Sequence, residues 1–185
     1  MASKYQAFDP NSEAIGSSLL GFIQCIRSKD VGPYLEKHGL TNIDPNGWYP
    51  VQTWLDVLSD LAEERPGQVM FDFVSVGMAV AAVIPLPEEY YASLPFEEAL
   101  LASGGSGYKR NHRGDAGEHA VEKIGENHIK ITIRTPYPDD LLYGVYYGLA
   151  RRFLPAGQHF TLRYDDETPR RDKGGDLTIM HLTWE

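Results

Sequence analysis

The stretch from Gln68 to Ile84 carries one charged side chain, Asp72, among Val69, Met70, Phe71, Phe73, Val74, Val76, Met78 and an alanine–valine run, and it is closed by Pro85 and Pro87. A helix that is apolar on every side belongs either in a protein core or in a bilayer. This run is shorter than the roughly 20 apolar residues a span needs, and a carboxylate and two prolines interrupt it. The segment is therefore expected to be the buried central helix of a globular domain. Asp72 falls in its first turn, where the helix dipole favours a carboxylate. Gly77, with Ala79, Ala81 and Ala82, leaves one side of this helix narrow. Another backbone or a flat ligand can approach there, which makes Gly77 a candidate ligand-contacting residue.

The remaining first half also reads as helical. Ile15, Leu19, Phe22, Ile23 and Ile26 recur at helical spacing between Ser12 and Ser28, with Ser12 as a suitable N-cap. A short segment from Val31 to His38 ends at Gly39, and a helix from Pro50 to about Arg65 carries Val51, Trp54, Leu55, Leu58 and Leu61 before Pro66-Gly67. Pro87 to Ser103 reads as a helix broken at Pro95, after which Gly104-Gly105-Ser106-Gly107 is expected to act as a hinge into a strand. Residues 1–11 are polar and are expected to form a flexible N-terminus, leaving 12–185 as a single domain; 185 residues at 42% hydrophobic suffice for one core.

The pattern then changes. His128-Ile129-Lys130-Ile131-Thr132-Ile133-Arg134 alternates strictly, with Glu118 to Ile124 as its partner strand; Phe160, Leu162 and Tyr164 alternate likewise, and Leu177 to Trp184 forms a last strand. Between the two pairs, Asp139 to Phe153 is predicted to be a helix buried through Leu142, Tyr146, Leu149 and Phe153, with Gly144 and Gly148 bringing it close to the sheet. The fold class is thus α+β: a helical half packed on an antiparallel sheet of about four strands, built as hairpin, helix, hairpin.

Charge and residue type narrow the function. The net charge of −9 arises entirely in residues 1–100, which hold 5 Lys+Arg against 14 Asp+Glu. An acidic chain repels phosphates, so nucleic acid is not an expected partner. A lone cysteine, Cys25, excludes an internal disulfide and agrees with a cytoplasmic location; its apolar helical setting is that of a core thiol. The six histidines form neither His-Glu-x-x-His nor His-x-His, so no metal site is predicted. His128 and His159 point away from the apolar strand faces and are expected in solvent. The glycine run follows a helix instead of a strand, which argues against a phosphate cradle. Nothing identifies a nucleophile or general base, and no catalytic residue is assigned. The densest polar cluster is Tyr108-Lys109-Arg110-Asn111-His112-Arg113-Gly114. Tyr108, His112 and Arg113 are the candidate binding residues at the mouth of a cavity between helices and sheet; a loop held by hydrogen bonds is the plainer alternative.

Several runs carry a resemblance: Tyr108 followed by His112-Arg113-Gly114; Thr135-Pro136-Tyr137-Pro138-Asp139-Asp140 entering the Gly144/Gly148 helix; Arg151-Arg152-Phe153-Leu154-Pro155; and Gly174-Gly175 before a strand ending in Trp184. Over roughly residues 15–185 the chain resembles the bacterial haem-NO-binding-like proteins, within the superfamily of H-NOX haem sensors, vinyl-reductase-type ligand-binding domains and TRAPP vesicle-tethering subunits. The resemblance implies a non-enzymatic sensor or adaptor domain in signalling, with a small apolar ligand (haem among the candidates) held between the central helix and the sheet. It also implies a signalling protein partner and, as one arrangement, a homodimer. In haem-binding members a helix histidine ligates iron and a Tyr-x-Ser-x-Arg motif holds the propionates. Here the matching helix, Phe96 to Gly107, has no histidine, and Tyr108 to His112 keeps the tyrosine, with Arg110 in the serine position and His112 in the arginine position. The cysteines that vinyl-reductase-type members carry near the C-terminus are absent, Arg170, Arg171 and Thr178 standing in that region. The TRAPP likeness implies a second reading, a scaffold acting through protein contacts alone, with Tyr143 and Tyr147 exposed at an interface.

Overall fold

The computed structural model describes residues 3–63, 72–84 and 93–185, apart from the side chains of Ser28 and Lys29. The expectations for residues 64–71 and 85–92 lie outside the described residues. The chain opens with β1 (Glu13–Ile15), α1 (Gly16–Ile23), α2 (Ser28–Lys37), β2 (Trp48–Pro50) and α3 (Val51–Glu63). The predicted helix over 12–28 thus loses its first turn to a strand. β1 pairs antiparallel with β2, Ala14 facing Tyr49, and the Gly16 N–H donates to the Gly47 carbonyl at 2.8 Å. A side chain at Gly16 would stand 2.0 Å from the Asp44 carbonyl oxygen, so the entry to α1 is set by this tertiary contact and not by a cap. Ser12 caps nothing; its hydroxyl donates to the Asp9 carbonyl at 2.7 Å. Gly39 closes α2 as predicted, with a positive φ of 72°.

α4 (Phe73–Val83) is capped by Asp72, whose carboxylate accepts from the Ser75 N–H at 3.2 Å and from the Ser75 hydroxyl. α5 (Phe96–Leu100) runs through a wide π turn, Leu101–Ser106, into α6 (Gly107–Arg110), followed by β3 (His112–Arg113) against β1. The glycine run is therefore inside a helix and is not a hinge into a strand. α4 is buried along one face only: Phe73, Val76, Gly77, Val80 and Ala81 are covered, whereas Ser75, Ala82 and Val83 are exposed. Its all-round apolar character, read as all-round burial, instead leaves apolar surface uncovered.

The second half follows the alternation. β4 (Glu118–Gly125), β5 (His128–Arg134), β6 (Phe160–Tyr164) and β7 (Thr178–Trp184) form one antiparallel sheet in the order β4-β5-β7-β6. Ile129, Ile131 and Ile133 are at most 2% exposed on its inner face. α7 (Asp139–Phe153) has Asp139 and Asp140 in its first turn and Arg151 and Arg152 in its last, matching the helix dipole at both ends.

α7 lies between α4 and this sheet. Toward the sheet, the Tyr143 hydroxyl donates to the Leu162 carbonyl at 2.5 Å and Tyr147 packs on Phe160. Both tyrosines, expected at an exposed interface, are thus half-buried against β6. Toward α4, a side chain at Gly144 would stand 2.1 Å from the Val74 carbonyl, and one at Gly77 would stand 2.2 Å from the Leu141 carbonyl. The Gly144 surface predicted to meet the sheet meets α4 instead. Arg152 fastens the same pair by donating to the carbonyls of Ala81 at 3.2 Å and Ile84 at 2.8 Å. Residues 3–11, expected as a flexible tail, lie along α3: Tyr5 is buried, its N–H donates to Ser59 at 3.0 Å, and the Ala7 N–H donates to Gln52 at 2.9 Å.

Candidate functional site

The room expected between the central helix and the sheet is filled by α7. A cavity of about 920 Å³ opens instead on the other side, bounded by α1, α4, the α5–α6 helix and α7, with His119 of β4 as the contribution of the large sheet. Leu20, Phe22, Val80, Ile84, Leu142 and Val145 form its apolar wall. Leu20 and Val83, 36% and 49% exposed, lie on the lining and are two of the exposed large apolar residues among those described. Uncovered apolar side chains around a concavity mark a binding surface more than a random scatter does.

The polar wall comes from three elements. Tyr108 sits in the last turn of the α5–α6 helix, His112 four residues on in β3, and His119 in β4. The Tyr108 ring is sandwiched between the two imidazoles, stacked on His112 at 4.1 Å and on His119 at 4.5 Å. Its hydroxyl donates to the Ala116 carbonyl at 2.6 Å. The His112 Nδ1–H donates to the Tyr108 carbonyl at 2.8 Å, so its Nε2 accepts from the Tyr137 hydroxyl, also at 2.8 Å. Both nitrogens of His112 are satisfied.

His119 differs. Its Nδ1 shares a 2.8 Å hydrogen bond with the Tyr146 hydroxyl, while its Nε2 is buried with no hydrogen-bond partner. Leaving such a nitrogen unmet costs about 1–3 kcal/mol. The wide turn makes the space for this pair. A side chain at Gly104 would stand 2.6 Å from the Tyr146 hydroxyl oxygen, and one at Gly105 would stand 3.3 Å from the His119 carbonyl. Wide helical turns of this kind occur often at functional sites.

No charge builds up in this wall. Burial lowers His112, and burial followed by the nearby His112 lowers His119 to about 3, so both imidazoles are neutral at physiological pH. Burial raises the hydroxyls of Tyr108, Tyr137 and Tyr146, which stay protonated. Among the described lining residues the one charged side chain is Arg110.

Tyr108 and His112 of the sequence-derived set therefore come together on the cavity. Arg113 does not: its guanidinium stacks on Trp48 at 3.7 Å, outside the lining. Gly77 is packed against α7, so the close approach it permits is that of another backbone. Sequence reasoning missed His119, Tyr137, Tyr146 and the α1 wall, while Arg110 stood in the polar cluster it singled out. His119 had one legible signal, since the hairpin register sets it opposite Ile133, on the buried face.

The apolar walls and the lining cation fit the faces and a carboxylate edge of a haem, but among the described residues its iron meets no open imidazole, since the unmet nitrogen of His119 is not exposed to the cavity and both nitrogens of His112 are engaged. Among the described residues there is no cluster of three or more histidine, cysteine, aspartate or glutamate side chains arranged for a bare metal ion. Nor is any helix among them long and apolar enough to cross a membrane.

No protein-family model matches the chain, and no curated protein matches it by sequence. Solved structures do match its fold. A mutant H-NOX protein from K. algicida in the unliganded Fe(II) state aligns at TM-score 0.68 and 14% identity, over 92% of this chain and 96% of that one. The H-NOX protein from S. oneidensis in the Fe(II)NO state aligns at 0.67 and 13%, over 92% and 99%. The H-NOX from Shewanella woodyi, bound to IWP-051 in the Fe(II)CO state, aligns at 0.59 and 17%, over 91% and 93%. The two-sheet α+β architecture of this chain is the H-NOX fold.

Proposed function

We propose that the protein is a non-enzymatic sensor domain whose cavity holds a flat, largely apolar small molecule, with haem as the leading candidate. The observation that carries the reading is the cavity itself, about 920 Å³ with an apolar wall facing a neutral polar one. Small-molecule and cofactor sites commonly measure about 300–1,000 Å³ and combine apolar lining with a few placed polar groups. A haem presents two apolar faces, a metal that takes an imidazole, and carboxylates along one edge. Leu142 and Val145 supply an apolar surface and Arg110 a counter-charge for a carboxylate.

Bound haem would supply an iron with a coordination position for a small diatomic ligand. The proteins of similar fold described in Fe(II)NO and Fe(II)CO states support a gas-sensing role of this kind. The output would pass through α4, which borders the cavity on one side and is clamped to α7 through Gly77, Gly144 and Arg152 on the other. An occupied cavity that binds one position of α4 more tightly than another shifts the population a signalling partner meets. Tyr143 and Tyr147 are engaged with β6, so the scaffold reading loses the exposed aromatics that motivated it.

The test is uptake. Purified protein is incubated with haem, and separately with iron-free protoporphyrin, then desalted and examined by absorbance and native mass spectrometry. One haem per chain with a Soret band displaced from that of free haem is expected. A colourless protein removes the haem version, and refusal of both macrocycles removes the flat-ligand reading with it.

A further inference from the structure

We propose that His128 and His181, on the outer face of the large sheet, form a two-nitrogen chelate for a divalent transition-metal ion that prefers right-angled coordination, copper(II) foremost. The two residues stand 53 positions apart in the chain, so no linear motif joins them. The sheet does. β5 and β7 are antiparallel neighbours in a register that sets Lys130 opposite His181, which leaves His128 diagonal to His181 on the same face. Ile129 and Ile131 are buried on the inner face, so the two imidazoles lie on the side away from α7 and the cavity.

The hydrogen bonds present the nitrogens that a metal needs. The His181 Nε2–H donates to Asp165 at 2.9 Å, which leaves the lone pair on Nδ1. The other oxygen of Asp165 accepts from the N–H groups of Glu167 at 3.1 Å and Thr168 at 2.7 Å, so the carboxylate is itself fixed. A carboxylate behind a histidine is the arrangement that sets ring and tautomer in metal-bound imidazoles. His128 Nε2 lies 2.9 Å from the His181 Nδ1 and donates to it in the metal-free protein. Nδ1 of His128 has no hydrogen bond among the described residues and can carry the proton instead, which frees Nε2 as the second donor.

The spacing selects the metal. Two nitrogens 2.9 Å apart, each about 2.0–2.1 Å from one ion, subtend roughly 90° at it. Tetrahedral zinc would hold them about 3.3–3.4 Å apart, whereas tetragonal copper(II) and nickel(II) have the right angle built in, and copper(II) binds such donors more tightly. The rings are tilted by 55° and not stacked, so a turn of the His128 ring brings both lone pairs onto one ion. Lys130 and Arg163 face His181 from the neighbouring strands; Arg163 is paired with Asp166 at 2.7 Å, and Asp165 offsets the remaining positive charge.

Copper(II) titrated into the haem-free protein and followed by electron paramagnetic resonance tests the site, with wild type compared against His128→Gln, His181→Gln and Asp165→Asn. Wild type is expected to hold one copper per chain with the splitting of two imidazole nitrogens, and zinc at least about tenfold more weakly. Each glutamine variant should lose one nitrogen from the spectrum and bind copper at least about tenfold more weakly. Asp165→Asn should keep both nitrogens and still lose about tenfold in affinity, because the holder of the ring is gone. Equal binding by wild type and both glutamine variants, or a wild-type spectrum without two imidazole nitrogens, overturns the site and leaves copper as an ion bound elsewhere on the surface. Zinc held as tightly as copper overturns it too, since the bite would then be tetrahedral. None of these results depends on what the cavity holds.

Discussion

His119 and His128 lie on opposite faces of the large sheet, each beside a second histidine, and their surroundings give the two pairs opposite chemistry. On the inner side, His119 and His112 flank Tyr108, with no carboxylate in hydrogen-bonding contact and one nitrogen left unmet. On the outer side, His128 Nε2 meets His181 Nδ1 at 2.9 Å, and the His181 Nε2–H donates to Asp165 at 2.9 Å. A carboxylate ends the outer chain, and hydrogen bonds along it hold Asp165 down at about 2. The outer pair leaves no buried nitrogen without a partner. The inner pair does: Nε2 of His119 is buried without a partner. Residue type alone does not separate them; burial and the identity of the last partner do.

The largest expected effect comes from closing the gap behind the inner pair. Gly104→Val would drive a side chain into the Tyr146 hydroxyl, from which even a Cβ would be 2.6 Å away. Overpacking of this kind costs about 1–3 kcal/mol, and this site is expected at the upper end, read as a lower urea midpoint with the denaturant slope unchanged. Equal stability of the variant and wild type would mean that Tyr146 has room to retreat, and that His119 is not rigidly held.

Acid should separate the pairs next. The folded value for His119 lies at about 3, below its ordinary value of 6.5. As pH falls, the unfolded chain therefore takes up this proton first, and the folded state loses stability between about pH 6.5 and pH 3. His112 is lowered too and contributes in the same direction. Asp165 is a depressed carboxylate, so its stabilisation persists until pH falls below its ordinary 3.8 and is lost toward about 2. Urea unfolding of the ligand-free protein at a series of pH values should show the steeper loss in the upper window, and His119→Gln should flatten it. A variant with the wild-type slope would assign the pH dependence elsewhere, with His128, itself lowered by partial burial and by His181, as the next candidate.

The smallest effect belongs to the outer pair. His128→Gln keeps a side-chain amide able to reach His181, and stability should change by no more than about 0.5 kcal/mol. Haem uptake should not change. A large effect on either would show that the outer chain is coupled to the cavity through the sheet.

The same contrast explains what the amino-acid order made legible. β4 to β7 and α7 were readable because alternation over five or more residues, or a helical stripe over fifteen, leaves little freedom in which face is buried. β1, β2 and β3 were not: strands of two or three residues have no period, and Glu13-Ala14-Ile15 sits in a run whose apolar spacing suits a helix. Gly104 to Gly107 read as a hinge by intrinsic preference, yet packing against Tyr146 and His119 keeps those residues helical. Tyr108 and His112 were found as a polar cluster close in sequence. His119 was not, because its role depends on a neighbour 27 residues away and on a nitrogen with no partner, neither of which a linear pattern displays.

The cavity as the place of binding is tested most directly at Gly21. This glycine lines the cavity from α1, and a Cβ there would meet nothing within 4 Å, so the side chain of Gly21→Trp starts in open space beside the cavity and competes for it. Haem titration of wild type and variant, followed at the Soret band after desalting, compares the two. Uptake by wild type and none by a folded Gly21→Trp protein is the predicted result; equal uptake by both would contradict it and put the ligand somewhere else.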